Sequence, residues 1–449
     1  MLSKAMEIKN KYQSPVRIWL GNRLFFGVWG AGDLEIVLNN SHALAKAQLY
    51  KHAECIFGTG LFTASVPKWK RHKKIIIPTF NQRILNEFVG CFSEQSNIFV
   101  SQLEKQVGKG YFDLFYLLSR CTLDIICETA MGITVKAQTE DSDYIKWSNK
   151  AMEIVFTRMF NILYHFDYIF NRTSMSKELK DVVDKMHQFT GAVVKQKREA
   201  YQKKMREQKM SEGYVDEGLS ECITRKSFLQ LLIELSENGA GFTDEELREE
   251  VDTFMIAGSD TTASTMSFAF IMLAMFPDIQ QKVYEEVMNV LGPDKFVEHS
   301  DLNKFEFLER VLKESLRLFP VGPLLVRAIN KDIQLEKCVV PAGSSVVLFI
   351  MGLHRNEENW PDPLKFDPDR FLPEEASKRH SYAWLPFLGG LRNCVGQKYA
   401  FMTMKCIIAT IIRKYKFSTN YKTIEDIKLK ADLMLKPVNG YTVAIEFRE

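Results

Sequence analysis

A ten-residue segment near the C-terminus constrains this chain more than any other feature. It runs from Phe387 to Gly396 with the spacing F-x-x-G-x-R-x-C-x-G, which places a single cysteine at position 394. Glycines let backbone N–H groups approach a sulfur atom closely, and a helix predicted after Gly396 would point its positive dipole end at Cys394. Both features favour a metal-binding thiolate. A lone cysteine is more often a buried apolar residue, but five matched positions in ten make that interpretation the weaker one.

A long helix is predicted from Thr243 to just before Pro277. Thr243 and Glu246 have the spacing of a capping box, and a proline can begin the helix that follows. Roughly 30 residues at about 1.5 Å each would make this helix about 45–50 Å long. Phe254–Phe276 is nearly long enough to span a bilayer, but Asp260 and several hydroxyl residues interrupt it, and a charge at the bilayer centre is costly. We therefore expect a helix buried inside a large protein.

The composition is that of a globular protein, with 46% hydrophobic residues, 26% charged residues and a formal net charge of +3 over 449 residues. A charge so nearly balanced argues against a dedicated nucleic-acid-binding protein. Met1–Gln13 contains no apolar stretch of signal-peptide length, so we expect neither a secretory signal nor a transmembrane anchor within this chain. The eight cysteines are therefore expected to be reduced thiols.

The pattern of apolar and turn-forming residues predicts a mainly α protein with small β-sheets, in a single domain over residues 1–449. The helical majority is expected at about 41–320, β-containing parts at about 12–40 and 321–353, and a proline-rich meander with the cysteine loop at about 355–396. The short apolar runs interpreted as β structure are Val16–Leu20, Arg23–Val28, Leu34–Leu38, Ile333–Leu335, Val339–Val340 and Val346–Ile350. A last helix is predicted from Gly396 to about Lys414.

The Phe387–Gly396 segment resembles the haem-binding loop of cytochromes P450, and four further segments follow the order that this family requires. Ala257–Thr262 (AGSDTT) is similar to the oxygen-activation motif, Glu314–Arg317 to E-x-x-R, Phe366–Phe371 to the meander signature and Trp69–Lys73 to W-x-x-x-R, with Lys73 where arginine is usual. The resemblance extends from about Tyr12 to the C-terminus. It implies the cytochrome P450 fold, with haem between the long central helix and the C-terminal cysteine loop.

The resemblance also implies a role for individual residues. Cys394 would be the axial thiolate ligand of haem b, and the cofactor would also be contacted by Phe387, Gly390, Gly396, Trp69, Lys73, Arg327 and Arg392. Asp260 and Thr261 would relay protons as the catalytic pair. A buried network that fixes the cysteine loop would consist of Glu314, Arg317 and Arg370. Substrate-lining candidates, by position in the family, are Ala257, Leu324, Leu325 and Val326.

Within the family, the chain is most similar to the fourth-family branch, which contains fatty-acid ω-hydroxylases and insect detoxification enzymes. The supporting stretches are Lys11–Gly21, Glu249–Met255 and Leu353–Asn356. That branch often has a glutamate immediately before the glycine of the oxygen motif, and this glutamate can bond to a haem methyl group. Here the position is Ala257, so the haem is not expected to be covalently attached through it.

The resemblance implies a monooxygenase that inserts one oxygen atom of O2 into an apolar molecule, such as a fatty acid, a lipid hormone or a xenobiotic. Electrons would come from NADPH-cytochrome P450 reductase, with cytochrome b5 as a second candidate partner. A basic docking face would comprise Lys70, Arg71, Lys74, Lys398 and Lys405. We expect a monomer at the cytosolic face of the endoplasmic reticulum membrane, in contact with the membrane surface and with no nucleic acid.

Two alternatives remain open from the sequence. The first is a non-catalytic haem-thiolate binding protein or decayed paralogue, which would keep Cys394 but need not keep Asp260 and Thr261. The second is an isomerase or dehydratase on the same fold, which usually lacks the acid–threonine pair. The joint presence of all three residues favours the monooxygenase.

Overall fold

A computed structural model describes residues 2–211 and 226–448 of the chain. In this part of the chain the α-helices are α1 (Leu2–Lys11), α2 (Ala31–Asn39), α3 (Glu54–Phe57), α4 (Val66–Ile76), α5 (Gln82–Glu87), α6 (Val89–Glu104), α7 (Leu114–Ile126), α8 (Asp143–Phe160), α9 (Asp167–Phe170), α10 (Ser174–Ser211), α11 (Phe228–Leu235), α12 (Asp244–Met275), α13 (Pro277–Leu291), α14 (Glu306–Leu318), α15 (Ile350–His354), α16 (Pro373–Ala376) and α17 (Gln397–Ile412). The strands are β1 (Val16–Leu20), β2 (Arg23–Val28), β3 (Phe112–Asp113), β4 (Leu325–Ala328), β5 (Ile333–Gln334), β6 (Val339–Val340), β7 (Ser345–Leu348), β8 (Tyr415–Ser418), β9 (Leu429–Asp432), β10 (Met434–Pro437) and β11 (Thr442–Phe447). The predicted class, mainly α with small sheets, is confirmed.

The chain divides into two compact units. Unit 1 consists of Met1–Tyr50, Phe92–Ser119 and Asp260–Glu449, and unit 2 consists of Lys51–Cys91 and Arg120–Ser259. Helix α12 contributes residues to both units, because the boundary falls between Ser259 and Asp260.

The main sheet of unit 1 has the strand order β1-β2-β7-β4. Strands β1 and β2 form an antiparallel hairpin, β2 and β7 run parallel, and β4 is antiparallel to β7 with Arg327 opposite Val346. Apolar side chains of this sheet and of α2, including Val28, Leu34 and Leu348, are fully buried in one cluster. This packing fixes the position of β4, which carries Arg327.

Helix α12 begins and ends where the sequence predicts. The Thr243 hydroxyl accepts a hydrogen bond from the Glu246 N–H at 3.1 Å, and the Glu246 carboxylate accepts one from the Thr243 N–H at 3.3 Å, so the capping box is formed. The helix ends at Met275, and Pro277 begins α13. Across the described ranges no single helix meets the length and apolarity of a membrane span; α12 and α13 meet them only as a pair, and that pair is bent by 111°.

One predicted β segment is wrong, and another ends earlier than predicted. Leu34–Leu38 lies within α2, where Leu34, Val37 and Leu38 are buried at the i, i+3, i+4 spacing of a helix face. The run Val346–Ile350 is a strand only to Leu348, and Ile350 begins α15. By contrast, β1, β2 and β6 match their predicted bounds, and the last helix, α17, lies within its predicted range.

Candidate functional site

The cysteine loop in unit 1 is held in a tight fold by its own backbone. The Cys394 N–H donates to the Phe387 carbonyl oxygen at 2.9 Å. Gly390 has a φ of +68°, and a Cβ atom there would lie 2.2 Å from the Leu38 carbonyl oxygen. A residue with a side chain would therefore be strained by its backbone conformation and would also collide with α2. The Phe387 ring lies 6.5 Å from that of Trp384 and 5.6 Å from that of Phe401, so the start of the loop packs against two aromatic rings.

Cys394 lies two residues before Gly396, the N-cap of α17, and its side chain is exposed. Among the described residues, Cys55 is also exposed. Cys127 and Cys406 are buried instead, and burial raises the pKa of Cys406 to about 12 and the pKa of Cys127 well above its usual value. A thiol at a helix N-terminus is the one best suited to become a thiolate ligand.

A metal held by Cys394 would have to bring most of its ligands with it. Among residues 2–211 and 226–448, no group of three or more histidine, cysteine, aspartate and glutamate side chains is arranged to hold a metal ion. A single protein thiolate is the donor set expected for a metal that is already coordinated by a macrocycle, as iron is in haem. The donor chemistry of this loop therefore fits haem.

Three cationic side chains lie close to one another in unit 1 near the cysteine loop. The Arg392 guanidinium donates to the Leu44 carbonyl oxygen at 2.7 Å, and Arg327 donates to the Arg392 carbonyl oxygen at 3.5 Å. Lys46 forms a β-bridge with Arg327, and its Nζ lies 4.4 Å from the ring centroid of Tyr50. Arg327 and Arg392 are 3% and 8% exposed.

The electrostatics of this cationic cluster favour an anionic ligand. Burial, followed by the charge of Arg327, lowers the pKa of Arg392 to about 9. Burial and the charges of both arginines lower the pKa of Lys46 well below its usual value. An anion bound here would relieve the repulsion among the three cations, and the two propionate groups of haem supply such anions. Sequence reasoning missed Lys46 and Tyr50, because no local signal links residues 46–50 to positions 327 and 392.

In unit 2, Trp69 and Lys73 lie on α4. Trp69 is 5% exposed, and the Lys73 Nζ lies 5.3 Å from the centroid of its indole ring. This spacing is that of a cation–π contact, which comes from their i, i+4 positions on one helix face. The contact of these residues with haem propionates stays a prediction.

The oxygen-motif residues occupy the middle of α12. Asp260, in unit 1, is 3% exposed, and burial raises the pKa of its carboxyl to about 6, although the charge of Lys436 opposes that rise. An acid with a pKa near neutrality suits proton transfer, since it can both hold and release a proton at physiological pH. Ala257 is exposed and Thr261 is partly exposed, while most neighbouring positions of the helix are buried. Ala257 and Thr261 share one helix face at i, i+4.

Glu314 and Arg317 form a fully buried, two-pronged ion pair on α14. The Arg317 Nε and one terminal nitrogen each donate to Glu314 at 2.7 Å, and both side chains are 0% exposed. The remaining donors of Arg317 are directed at main-chain carbonyl oxygens, those of His354 at 3.0 Å, Pro363 at 2.7 Å and Lys365 at 3.1 Å. This one guanidinium therefore holds the start of the meander against α14.

Arg370 lies next to this pair, as the meander resemblance implies. Its Nε is 3.6 Å from the Glu314 carboxylate, and its terminal nitrogen donates to the carbonyl oxygens of Pro361 and Asp362 at 2.6 and 3.0 Å. The Asp367 N–H also donates to Glu314 at 2.9 Å. The structure thus brings the three network residues together, and the network joins α14 to the segment before the cysteine loop.

The substrate-lining candidates lie in different surroundings. In unit 1, Leu325 begins β4 and packs against the buried cluster of the main sheet, whereas Leu324 precedes the strand and is half-buried. The Val326 N–H donates to the Tyr50 hydroxyl at 3.3 Å, and its side chain is 9% exposed. The role of these residues and of Ala257 in binding a substrate stays a prediction.

One member of the expected basic docking face does not fit that role. The Lys405 side chain is 6% exposed, and its Nζ donates to Glu309 at 2.6 Å and to the Leu302 carbonyl oxygen at 2.8 Å. An ammonium group that is buried and paired in this way belongs to the protein interior and not to a docking surface. Lys70, Lys74 and Lys398 are exposed, while Arg71 is exposed and paired with Glu246.

Comparison with known proteins agrees with this geometry. The family model of cytochrome P450 matches residues 1–444. Cytochrome P450 4c21 of Blattella germanica is 38% identical over 98% of this chain and 87% of its own length, and cytochrome P450 4V2 of Homo sapiens is 35% identical over 98% and 83%. The crystal structure of the cytochrome P450DA heme domain has a TM-score of 0.85 at 21% identity, covering 100% of this chain and 93% of its own. The chain belongs to the cytochrome P450 family, and it is a haem-thiolate oxidoreductase of the monooxygenase class.

Proposed function

We propose that this protein hydroxylates an apolar organic molecule and that the Cys394 thiolate would hold its haem iron. Bound haem supplies the activation of dioxygen. The observation that carries the assignment of Cys394 is its exposed position two residues before the N-cap of α17, in a loop whose backbone tolerates no side chain at Gly390. Arg327, Arg392 and Lys46 would hold the propionates by charge.

Asp260 and Thr261 are proposed to move protons during turnover. A carboxyl with a pKa of about 6 is partly protonated at neutral pH, so it can give a proton and then recover one from solvent. Thr261 lies next to it on the face of α12 that includes Ala257. The small side chain at position 257 leaves room for a ligand beside the helix, and it carries no carboxylate that could attach the haem covalently.

The substrate is proposed to be a fatty acid, a lipid hormone or a xenobiotic. Apolar candidates such as Leu324 and Val326 offer no charged group to bind a polar substrate. A panel of these three classes, supplied with NADPH and reductase, tests the proposal. A protein that binds haem normally but forms no NADPH-dependent product from any member would instead support the alternative of a non-catalytic haem-thiolate protein.

The electron donor is proposed to be NADPH-cytochrome P450 reductase, with cytochrome b5 as a second donor. Cytochromes P450 in general receive electrons from a redox partner. Lys70 and Lys74 are exposed on α4 and Lys398 is exposed on α17, and such charges steer association with an acidic partner. Reversal of these three charges is expected to slow reductase-driven reduction at low ionic strength, and an unchanged rate would exclude them from docking.

We further propose that the protein is a monomer, folded as a single haem domain, that lies on the cytosolic face of the endoplasmic reticulum membrane. Support for the membrane surface comes from residues 160–169 of unit 2, where large apolar side chains are exposed: Phe160, Ile162, Leu163, Phe166, Tyr168 and Ile169. Apolar patches of this kind often mark membrane contacts. Phe166→Ser with Leu163→Ser should weaken binding to phospholipid vesicles, whereas Phe296→Ser, at a 57% exposed control site, should not. Equal binding of both variants would contradict the proposal.

The decisive experiment for the haem ligand uses Cys394→Ala. The variant is expected to lose the thiolate-type band of the reduced carbon-monoxide difference spectrum, because no thiolate remains in the loop. Cys338→Ala is the matched control, since Cys338 is a half-buried thiol in the same unit. If the thiolate-type band persists in Cys394→Ala, the ligand assignment is wrong.

A further inference from the structure

Asp260 is buried in a part of unit 1 that also contains residues from the C-terminal strands. One of its carboxylate oxygens, Oδ2, has no hydrogen-bond partner among the described residues. Buried polar atoms are nearly always satisfied by another polar group or by ordered water. A carboxyl that must exchange protons with solvent therefore needs a polar route out of the core, and 3% exposure gives it none directly.

One helical turn further along α12, the Ser264 hydroxyl meets the hydroxyl of Tyr441, which lies just before β11. Ser264 Oγ and Tyr441 Oη are 2.6 Å apart, and either can be the donor. Ser264 is 0% exposed and Tyr441 is 3% exposed. Asp260 and Ser264 are at i, i+4, so their side chains share a helix face at about 5–6 Å between Cβ atoms, a gap that one water molecule can span. Ser264 is thus the first hydroxyl residue after Asp260 on that helix face.

The Tyr441 ring is fixed by its neighbours, which orients its hydroxyl. It stacks on Phe115 at 5.3 Å with an interplanar angle of 19°, and it meets Phe268 edge-on at 5.0 Å. Its hydroxyl also lies within 3.3 Å of the Leu435 carbonyl oxygen, to which it can donate. Tyr441 can therefore donate either to Leu435 or to Ser264, and this choice of direction is what a proton relay requires.

Lys436 places a partly exposed charge beside Phe115, the ring on which Tyr441 stacks. Its Nζ lies 5.6 Å from the ring centroid of Phe115, and its side chain is partly exposed. The charge of Lys436 lowers the pKa of Asp260, against the larger effect of burial, and burial together with the carboxylates of Asp113 and Asp260 raises the pKa of Tyr441. Tyr441 therefore stays protonated at neutral pH and passes protons on without becoming a phenolate.

We infer that the segment from Leu435 to Tyr441 delivers protons to Asp260, with Tyr441 and Ser264 as the relay and Lys436 as the charge that tunes the carboxyl. In each transfer Ser264 gives its hydroxyl proton to Asp260 through the bridging water and takes the proton of Tyr441. In the same concerted step Tyr441 takes a proton from a hydronium ion on the solvent side, where Lys436 is partly exposed, so no phenolate forms. Only Asp260 changes charge, and the proton comes from solvent. The inference rests on the proposed proton-transfer role of Asp260.

The test measures proton access to Asp260 directly and needs no turnover. The full-length ferric protein is transferred into D2O at about pH 5, where a carboxyl with a pKa of about 6 is mostly protonated, and the infrared band of the buried carboxyl is followed as it shifts. Asp260→Asn assigns the band by removing it. Tyr441→Phe and Ser264→Ala are each expected to slow the exchange by about a hundredfold or more, the lower end of what one positioned proton-transfer group contributes.

Tyr421→Phe is the matched control. It also removes a hydroxyl that donates to a backbone carbonyl, that of Gly440 at 3.0 Å, in the same C-terminal region. Its exchange should equal that of the wild type. Wild-type exchange in either Tyr441→Phe or Ser264→Ala overturns the relay, since the route must pass through both. If Tyr441→Phe does not fold, Ser264→Ala decides alone, because alanine is favoured inside a helix.

A second measurement separates this inference from the proposed function. Lys436→Met should raise the pH at which the Asp260 band disappears, and an unmoved titration would refute the tuning role of Lys436. In the presence of reductase and a compound that the wild type hydroxylates, Asp260→Asn should use more of the NADPH electrons to form hydrogen peroxide and fewer to form product. If it does not, the proposed role of Asp260 fails. If Asp260→Asn does divert electrons to hydrogen peroxide, but the Asp260 carboxyl exchanges as fast in Tyr441→Phe as in Tyr421→Phe, then only the relay is refuted.

Discussion

Replacement of Arg317 by methionine tests the buried network at its centre. The side chain is 0% exposed and makes five contacts, two with Glu314 and three with main-chain carbonyl oxygens. Methionine fills much of the space but leaves the Glu314 charge buried with its main partner removed. Breaking a buried pair in this way costs about 3–5 kcal/mol. A loss of that size is a large part of the roughly 5–15 kcal/mol that stabilise a typical domain.

The assay is urea unfolding followed by circular dichroism at two pH values. Burial raises the pKa of Glu314 in the native protein, and Arg317 opposes this. Without Arg317, the pKa of Glu314 in the folded state rises further above its value in the unfolded state. The variant therefore loses stability as the pH rises from the unfolded-state pKa to the folded-state pKa. The penalty of Arg317→Met should therefore be larger at about pH 7.5 than at about pH 5.

The control for this experiment has the same spacing at the surface. Lys4 and Glu7 also form an i, i+3 ion pair, at 2.9 Å, but their side chains are 68% and 63% exposed. Lys4→Met should leave the free energy of unfolding unchanged within error. The reasoning is refuted if Arg317→Met loses less than about 1 kcal/mol, or if its penalty is the same at both pH values.

Three further predictions concern other parts of the chain. Burial raises the pKa of Asp252 to about 7, so this carboxyl should cost the folded state stability as pH rises from about 4 to 7, and Asp252→Asn should lose less stability than the wild type over that range in thermal melts. Gly390→Ala should lower the melting temperature more than Gly343→Ala, because both have positive φ but only a Cβ at Gly390 meets backbone, 2.2 Å away; equal losses would contradict this. Lys405→Met should lower the melting temperature, whereas Lys398→Met should lower only the rate of reduction by the reductase, and the reverse pattern would count against the assignment of Lys405 to packing.

Local signals in the sequence predicted local structure well. The capping box at Thr243 and the proline at 277 defined α12, and the pairing of Glu314 with Arg317 follows from their i, i+3 spacing alone. Leu34–Leu38 was misread because a short run of apolar residues fits a strand as well as the buried face of a nine-residue helix.

The rest of the candidate site depends on contacts between distant parts of the chain. Lys46 meets Arg327 through a β-bridge across 281 positions, and Ser264 meets Tyr441 across 177. No periodicity or motif encodes such a pairing, because the packing of the whole unit determines it. The C-terminal strands β8 to β11 were not predicted for a related reason. They are only four to six residues long, and segments this short give too few positions for a periodic pattern to be distinguished from a loop.

The way in which Arg317 binds the meander affects how far that segment can change in sequence. Its guanidinium donates hydrogen bonds to the main-chain carbonyl oxygens of His354, Pro363 and Lys365, and every amino acid has such an oxygen. Random substitution of the exposed side chains between residues 356 and 365 should therefore be well tolerated in a selection for haem incorporation. Random substitution of Arg317 should yield almost no survivors. The selection would then show that the position of the meander depends on a single side chain of α14.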